Sequence, residues 1–227
     1  MSQSLVLFDI DGTLLITGGA TSRCIFAALE EVTGLPATGC RIVPGRLDQQ
    51  LYADIARQCG VPDPAIYFDA YKQCYLSRLE KELAPAMPPI RVLPGVIALL
   101  HQLERREDVA FGLLTGNFRD AARLKVRMAG LDGFRFSICA FAEDGNERSD
   151  LVRTAHKRYL EMTGVPADRT VVVGDTPADI AMARATGCTV LAVATGTYSL
   201  AELAAEMPDA AVADLSRPEY LYSLLNG

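Results

Sequence analysis

Asp9 and Asp11 stand two residues apart at the end of an apolar run, in Leu5-Val6-Leu7-Phe8-Asp9-Ile10-Asp11-Gly12-Thr13. Leu5 to Phe8 read as a central strand covered on both faces, and residues two apart on a strand point the same way. Both carboxylates are therefore aimed at one small volume, and Gly12 lets the chain turn sharply beside it. Unpaired, such anions repel each other and resist leaving water, so the pattern calls for a cation. A hard divalent ion such as magnesium accepts an all-oxygen carboxylate set, where zinc would want Cys or His. The alternative for this stretch taken alone is a polar loop in which Asp-Gly is an ordinary turn.

Three later strand ends carry complementary chemistry. Leu113-Leu114 runs into Thr115-Gly116-Asn117, which brings a hydroxyl, backbone N–H groups and a helix start together, donors suited to a phosphate. A turn residue and a helix cap would account for Thr115 and Asn117 equally well. Val171-Val172-Val173 ends in Gly174-Asp175-Thr176-Pro177-Ala178-Asp179. There Asp175 reads as a further metal ligand, and Asp179, one helical turn on, binds a metal-held water or braces Asp175. The alternative is a capped helix start with Asp179 favouring its dipole. Arg148, ahead of another helix, is the cation placed to bridge Asp9 and a phosphate, with Lys157 a weaker candidate and a solvated surface arginine the alternative.

The elements that must position these residues follow from hydrophobic spacing. Ile25, Leu29 and Val32 mark a helix from about Thr21 that Gly34 stops; Leu51, Ile55 and Cys59 mark one from Asp48 to Gln58. Asp63 caps a third helix with Pro64 at its first position and a stripe of Phe68, Tyr71, Tyr75 and Leu79 inside. Pro85, Pro88 and Pro89 break this pattern, and another helix opens near Pro94-Gly95. Residues 16–91 are thus expected to form a smaller all-α cap domain inserted into an α/β core of residues 1–15 and 92–227. Beyond Pro94, strands at Val109–Leu114, Phe136–Phe141, Thr170–Val173, Thr189–Ala194 and Ala210–Ala213 alternate with helices. The helices are expected at Asn117–Met128, Asp150–Met162 and Pro177–Ala185, with Ser199/Glu202 and Ser216/Glu219 as capping boxes. This alternation predicts a doubly wound parallel sheet with right-handed crossovers.

The composition narrows the class. A net charge of −6 with no long basic run argues against nucleic acid as a partner. No run approaches the roughly 18 apolar residues of a membrane span, and Met1-Ser2-Gln3-Ser4 shows no signal-peptide pattern, so a cytoplasmic location is expected. Six scattered cysteines without a Cys-x-x-Cys pair read as reduced, mostly buried small hydrophobes. No Gly-x-Gly-x-x-Gly follows the first strand and no Walker-type lysine loop occurs, which disfavours a nucleotide-dependent oxidoreductase or a P-loop enzyme.

Taken in order, these stretches resemble the haloacid dehalogenase superfamily, and within it the magnesium-dependent, phosphoglycolate phosphatase-like members with a helical cap after the first motif. Asp9-Ile10-Asp11-Gly12-Thr13 matches the first motif, Thr115 the second and Gly174 to Asp179 the fourth; Arg148 stands where the third usually has lysine. Gly45-Arg46-Leu47-Asp48 is similar to the cap loop that enters the site, although relatives often carry a smaller residue than Leu47.

The resemblance implies a phosphatase acting on a small-molecule phosphate monoester, as a monomer or weak homodimer. It implies Asp9 as nucleophile, Asp11 as general acid and base, and Thr115 and Arg148 as charge stabilisers. Thr115, Gly116, Asn117 and Arg46 would bind substrate, and Mg2+ would sit among Asp9, Asp11 (through its backbone carbonyl), Asp175 and Asp179. Three alternatives share parts of the pattern. A sugar-phosphate phosphomutase would need a cap residue that holds the sugar. A dehalogenase needs neither Asp11 as proton donor nor the Asp175 loop, and a receiver-type phosphoacceptor would be shorter and capless.

Overall fold

The computed structural model describes residues 3–84 and 90–226; the proline break at Pro85, Pro88 and Pro89 and the start of the amino-terminal segment lie outside them. Strand β1 (Ser4–Phe8) leads into a short strand β2 (Leu15–Ile16) and then helices α1 (Ala20–Thr33), α2 (Asp48–Gln58) and α3 (Pro64–Leu83). After β3 (Arg91–Val92) come α4 (Val96–Glu104), β4 (Val109–Leu114), α5 (Arg119–Met128), β5 (Ile138–Ala140) and α6 (Arg148–Thr163). The chain ends with β6 (Arg169–Gly174), α7 (Pro177–Ala185), β7 (Thr189–Val193), α8 (Leu200–Ala205), β8 (Ala210–Val212) and α9 (Glu219–Asn226).

Six strands pair in the order β5-β4-β1-β6-β7-β8, and every pairing is parallel. From β1 the chain winds outward through β4 and β5, then returns to the other side of β1 and winds through β6, β7 and β8. The direction therefore reverses at β1, and in open α/β sheets ligands bind beyond the carboxyl ends of strands at such a reversal. Strand β1 is buried throughout. Leu5 and Leu7 pack into the layer shared with α1, α5, α6 and α7, and Val6 and Phe8 into the opposite layer with α4 and α9.

The helices between β1 and β4 start and stop for local reasons. Gly34, with φ 70°, takes the left-handed conformation that ends α1 and donates its N–H to Glu30. Asp63 accepts the Ala65 N–H and Pro64 fills the first turn of α3. Tyr71, Tyr75 and Leu79 form the buried face of α3 as the spacing predicts, with Tyr71 and Tyr75 stacked at 6.1 Å. At the base of this helical segment β2 pairs antiparallel with β3, Leu15 beside Val92.

Some local expectations differ: β5 spans Ile138–Ala140 within the expected Phe136–Phe141, and α6 opens at Arg148, two residues before Asp150. The helix after Thr115 begins at Arg119 instead of Asn117, because Asn117 directs its side chain elsewhere. Ser216 and Glu219 form no capping box: Ser216 donates its N–H to Asp214, and Arg217 takes the Glu219 carboxylate at 2.7 Å. The Ser199/Glu202 box at α8 forms as expected.

Candidate active site

The strand register fixes where the carboxylates stand. Phe8 lies beside Leu113 of β4 and Val173 of β6, so the residues after each strand emerge at one edge. Asp9 extends β1 by one rung, donating its N–H to the Val173 carbonyl at 2.9 Å. Gly12 then turns at φ 80°, and a Cβ there would stand 2.3 Å from Asp175 Oδ2. Gly196, after β7, crowds Asp175 from the other side in the same way. Glycine at both places makes the room in which the Asp175 carboxylate sits. Thr13 donates its hydroxyl to Asp175 Oδ1 at 3.3 Å.

Asp9, Asp175 and Asp179 each offer an oxygen within 4.8 Å of the other two, and all three are buried. Burial, followed by the charge of Asp179, pushes the Asp9 carboxyl up from 3.8 to about 7, with Arg148 opposing. Burial and the charges of Asp9 and Asp179 push Asp175 up to about 8. One arginine faces the three anions. Arg148, at the first turn of α6, pairs with Asp179 Oδ1 and lies 3.7 Å from Asp9 Oδ2. Burial works against the Arg148 charge, but Asp179 and Asp9 outweigh it and hold the guanidinium above its ordinary value. The sequence-predicted arginine thus reaches Asp9, whereas Lys157 is exposed and lies 3.9 Å from Glu161.

Asp179 serves two local tasks that the spacing only partly suggests. Its Oδ2 accepts the Thr176 N–H at 3.1 Å and the Thr176 hydroxyl at 2.6 Å, the capping box of α7, while Oδ1 holds Arg148. It braces the arginine and the helix start; no hydrogen bond joins it to Asp175 among the described residues.

On the other side of Asp9, Thr115 is fully buried and anchors its N–H on the Ala140 carbonyl. Its hydroxyl oxygen accepts from the Asn117 N–H and from Asn117 Nδ2. Asn117 Nδ2 also donates to Asp11 Oδ2 at 2.8 Å, so its side chain organises its neighbours instead of capping α5. Sequence reasoning missed Lys125 of α5, which has no exposed surface and donates to Asp11 Oδ2 at 2.6 Å and to Asn117 Oδ1 at 2.5 Å. Its signal was present: Lys125 continues the inward row of Phe118, Ala121 and Ala122 at helical spacing, a place where lysine needs a partner. Thr195, which donates to the Gly12 carbonyl, is a second residue missed.

The helical segment closes over this edge. Asp48, at the start of α2, donates its N–H to the Gly116 carbonyl at 2.7 Å and accepts the Phe118 N–H at 2.7 Å. Burial pushes its carboxyl up to about 7, opposed by Lys125. Arg148 Nη1 donates to the Gly45 carbonyl, and Gln49 to the carbonyls of Ala142 and Gly145. A Cβ on Gly45 would stand 2.6 Å from that of Ala178, so the loop can approach only because glycine is there. Between loop and strand ends lies a cavity of about 520 Å³ lined by Asp9, Asp11, Thr17, Arg46, Gly116 and Arg148 among others. The Arg46 guanidinium, expected to meet substrate, is shared with Asp54 at 2.9 Å. A larger surface groove, about 1090 Å³ between α3 and α5, holds none of the site carboxylates.

Buried carboxylates thus converge at the carboxyl ends of parallel strands, where the winding reverses, beside the helical segment between β2 and β3. The family model for haloacid dehalogenase-like hydrolases matches residues 6–184, and the chain belongs to that family. It is 27% identical over 194 residues to a phosphoglycolate phosphatase of Rhodospirillum rubrum, covering 84% of this chain and 79% of that one. Hexitol phosphatase A of Escherichia coli is 27% identical over 209 residues, with 82% and 81% covered. Among solved structures, a hydrolase from Pseudomonas syringae superposes with a TM-score of 0.71 at 21% identity over 99% of both chains, a likeness of fold.

Proposed function

We propose that the protein is a magnesium-dependent phosphatase that hydrolyses a small-molecule phosphate monoester through an aspartyl phosphate on Asp9. The observation that carries this reading is the buried Asp9, Asp175 and Asp179 cluster set against Arg148 as its nearest cation. Three buried carboxylates and one guanidinium leave uncompensated negative charge, and an all-oxygen donor set of this kind fits a hard divalent ion. Asp9 and Asp175 would hold it directly with the Asp11 carbonyl, and Asp179 would support the set through Thr176 and Arg148. When bound, the ion neutralises charge between the carboxylates and a phosphate dianion.

Asp9 attacks phosphorus, forming a carboxylate oxygen to phosphorus bond as the bond to the leaving oxygen breaks. Asp11 gives the leaving alkoxide a proton and afterwards takes one from the water that splits the aspartyl phosphate. The Thr115 hydroxyl, held by Asn117, the Gly116 N–H and Arg148 surround the equatorial oxygens where charge grows. The helical insertion, residues 16–91, acts as the cap that excludes water during the first step and opens to release product. A substrate carboxylate would have to compete with Asp54 for Arg46.

The test is release of inorganic phosphate from a panel of metabolite monoesters and from p-nitrophenyl phosphate, with magnesium and with a chelator. Hydrolysis that depends on the metal and is lost in D9N supports the reading; no hydrolysis, or full activity in D9N, overturns it.

A further inference from the structure

A lysine with no exposed surface, in contact with a proposed catalytic carboxylate, is costly to bury unless its charge is used. Lys125 has two acceptors, Asp11 Oδ2 at 2.6 Å and Asn117 Oδ1 at 2.5 Å. Asn117 in turn donates to the same Asp11 oxygen at 2.8 Å and to Thr115 Oγ1 at 2.8 Å. Both donors converge on Oδ2, and no hydrogen bond to Asp11 Oδ1 is present among the described residues. The side chain of Asp11 is 37% exposed on the cavity side while Lys125 is sealed behind it. Arg148 takes no part in this triangle; its partners are Asp179, Asp9 and the Gly45 carbonyl.

We infer that Lys125, with Asn117, is a positioning residue for Asp11: it clamps Oδ2 from behind and turns Oδ1 toward the leaving oxygen. The inference rests on the phosphatase reading above and adds a residue to it. With Oδ2 occupied by two N–H donors, the transferable proton of Asp11 resides on Oδ1. As the phosphorus to leaving-oxygen bond breaks, its electron pair stays on the leaving oxygen, which takes the Oδ1 proton. In the second step water bonds to phosphorus, the bond from phosphorus to Asp9 breaks and returns its pair to the Asp9 carboxylate, and the proton of the water returns to Oδ1. Because Asn117 also holds Thr115, the triangle ties the proton donor to the group that meets the phosphate.

The experiment compares kcat/KM of wild type and K125M on two substrates, a simple alkyl phosphate and p-nitrophenyl phosphate. An alkoxide needs a proton to leave and nitrophenolate does not, so loss of Asp11 alignment shows on the first substrate alone. General acid catalysis contributes about 10²- to 10⁴-fold. K125M is expected to lose about 10²-fold on the alkyl ester and less than about 5-fold on p-nitrophenyl phosphate. K125R, which keeps the charge, is expected to recover part of the alkyl activity. Equal losses on both substrates, or none on either, overturn the inference. Should K125M not fold, K125Q, which removes the charge but keeps a polar side chain beside Asp11 and Asn117, carries the same comparison. Failure of the wild type to hydrolyse any monoester would instead sink the phosphatase reading itself.

Discussion

Asp175→Asn is expected to make the metal-free protein more stable and inactive at once. In the folded chain Asp175 is pushed from 3.8 to about 8 by burial and by Asp9 and Asp179. A raised carboxyl means that the folded state binds the proton more tightly than the unfolded one. Stability is therefore intact below pH 3.8 and falls as pH rises toward about 8, by up to about 1.4 kcal/mol for each unit. By about pH 7 the accumulated cost is roughly 4 kcal/mol, equivalent to about 10 °C in Tm for a chain of this length. Asparagine does not ionise, so the variant escapes that cost. Thermal melts in chelator across the range from about pH 4.5 to about pH 8 should show D175N and wild type converging at the acid end and separating at the alkaline end. Magnesium at about 100 times its Kd should restore about 2.7 kcal/mol to wild type and far less to the variant. A variant no more stable than wild type in chelator at about pH 8, or a difference independent of pH, would refute the reasoning.

Other substitutions separate the remaining roles. R148M strands the buried Asp179 carboxylate and should cost about 3–5 kcal/mol in denaturant unfolding along with activity, while R148K should lose less stability. G12A forces a left-handed residue to carry a Cβ against Asp175; a loss of at least about 10²-fold in kcat is expected, since displacement of a catalytic group by about 1 Å can cost that much. D48N keeps an acceptor for the Phe118 N–H but removes a charge whose carboxyl is pushed up to about 7. Its melting curve in chelator should gain on wild type as pH rises from about 4 to about 7 and hold a constant advantage above that, again as linkage demands.

Much of the fold and part of the site are legible in the sequence, for physical reasons that particular residues make plain. Asp9 and Asp11 were legible because a strand with four apolar residues leaves few places for paired carboxylates except its end. The bounds of α2 agree because Asp48 and Gly60 mark its two ends. Arg148 was legible as a cation at a helix start, and the structure sets it 3.7 Å from Asp9. What escaped depends on contacts that spacing does not encode. The partner of Lys125 lies 114 positions away in the chain, so its inward place on α5 gave a question without an answer. The pairing of Arg46 with Asp54 was open to inspection as two charges eight residues apart, but only the folded helical segment shows that they meet. The Ser216/Glu219 box failed because Arg217, one residue nearer, competes for the same carboxylate.

The measurement that tests the central claim most directly is a rapid acid quench of D11N during turnover of a phosphate monoester with magnesium, followed by mass spectrometry of its peptides. The account predicts a hydroxylamine-sensitive phosphoryl group on the peptide that carries Asp9, longer-lived than in wild type and missing when Asp9 is asparagine. A phosphoryl group on another residue, or turnover without any covalent phosphate at the earliest times, would contradict it.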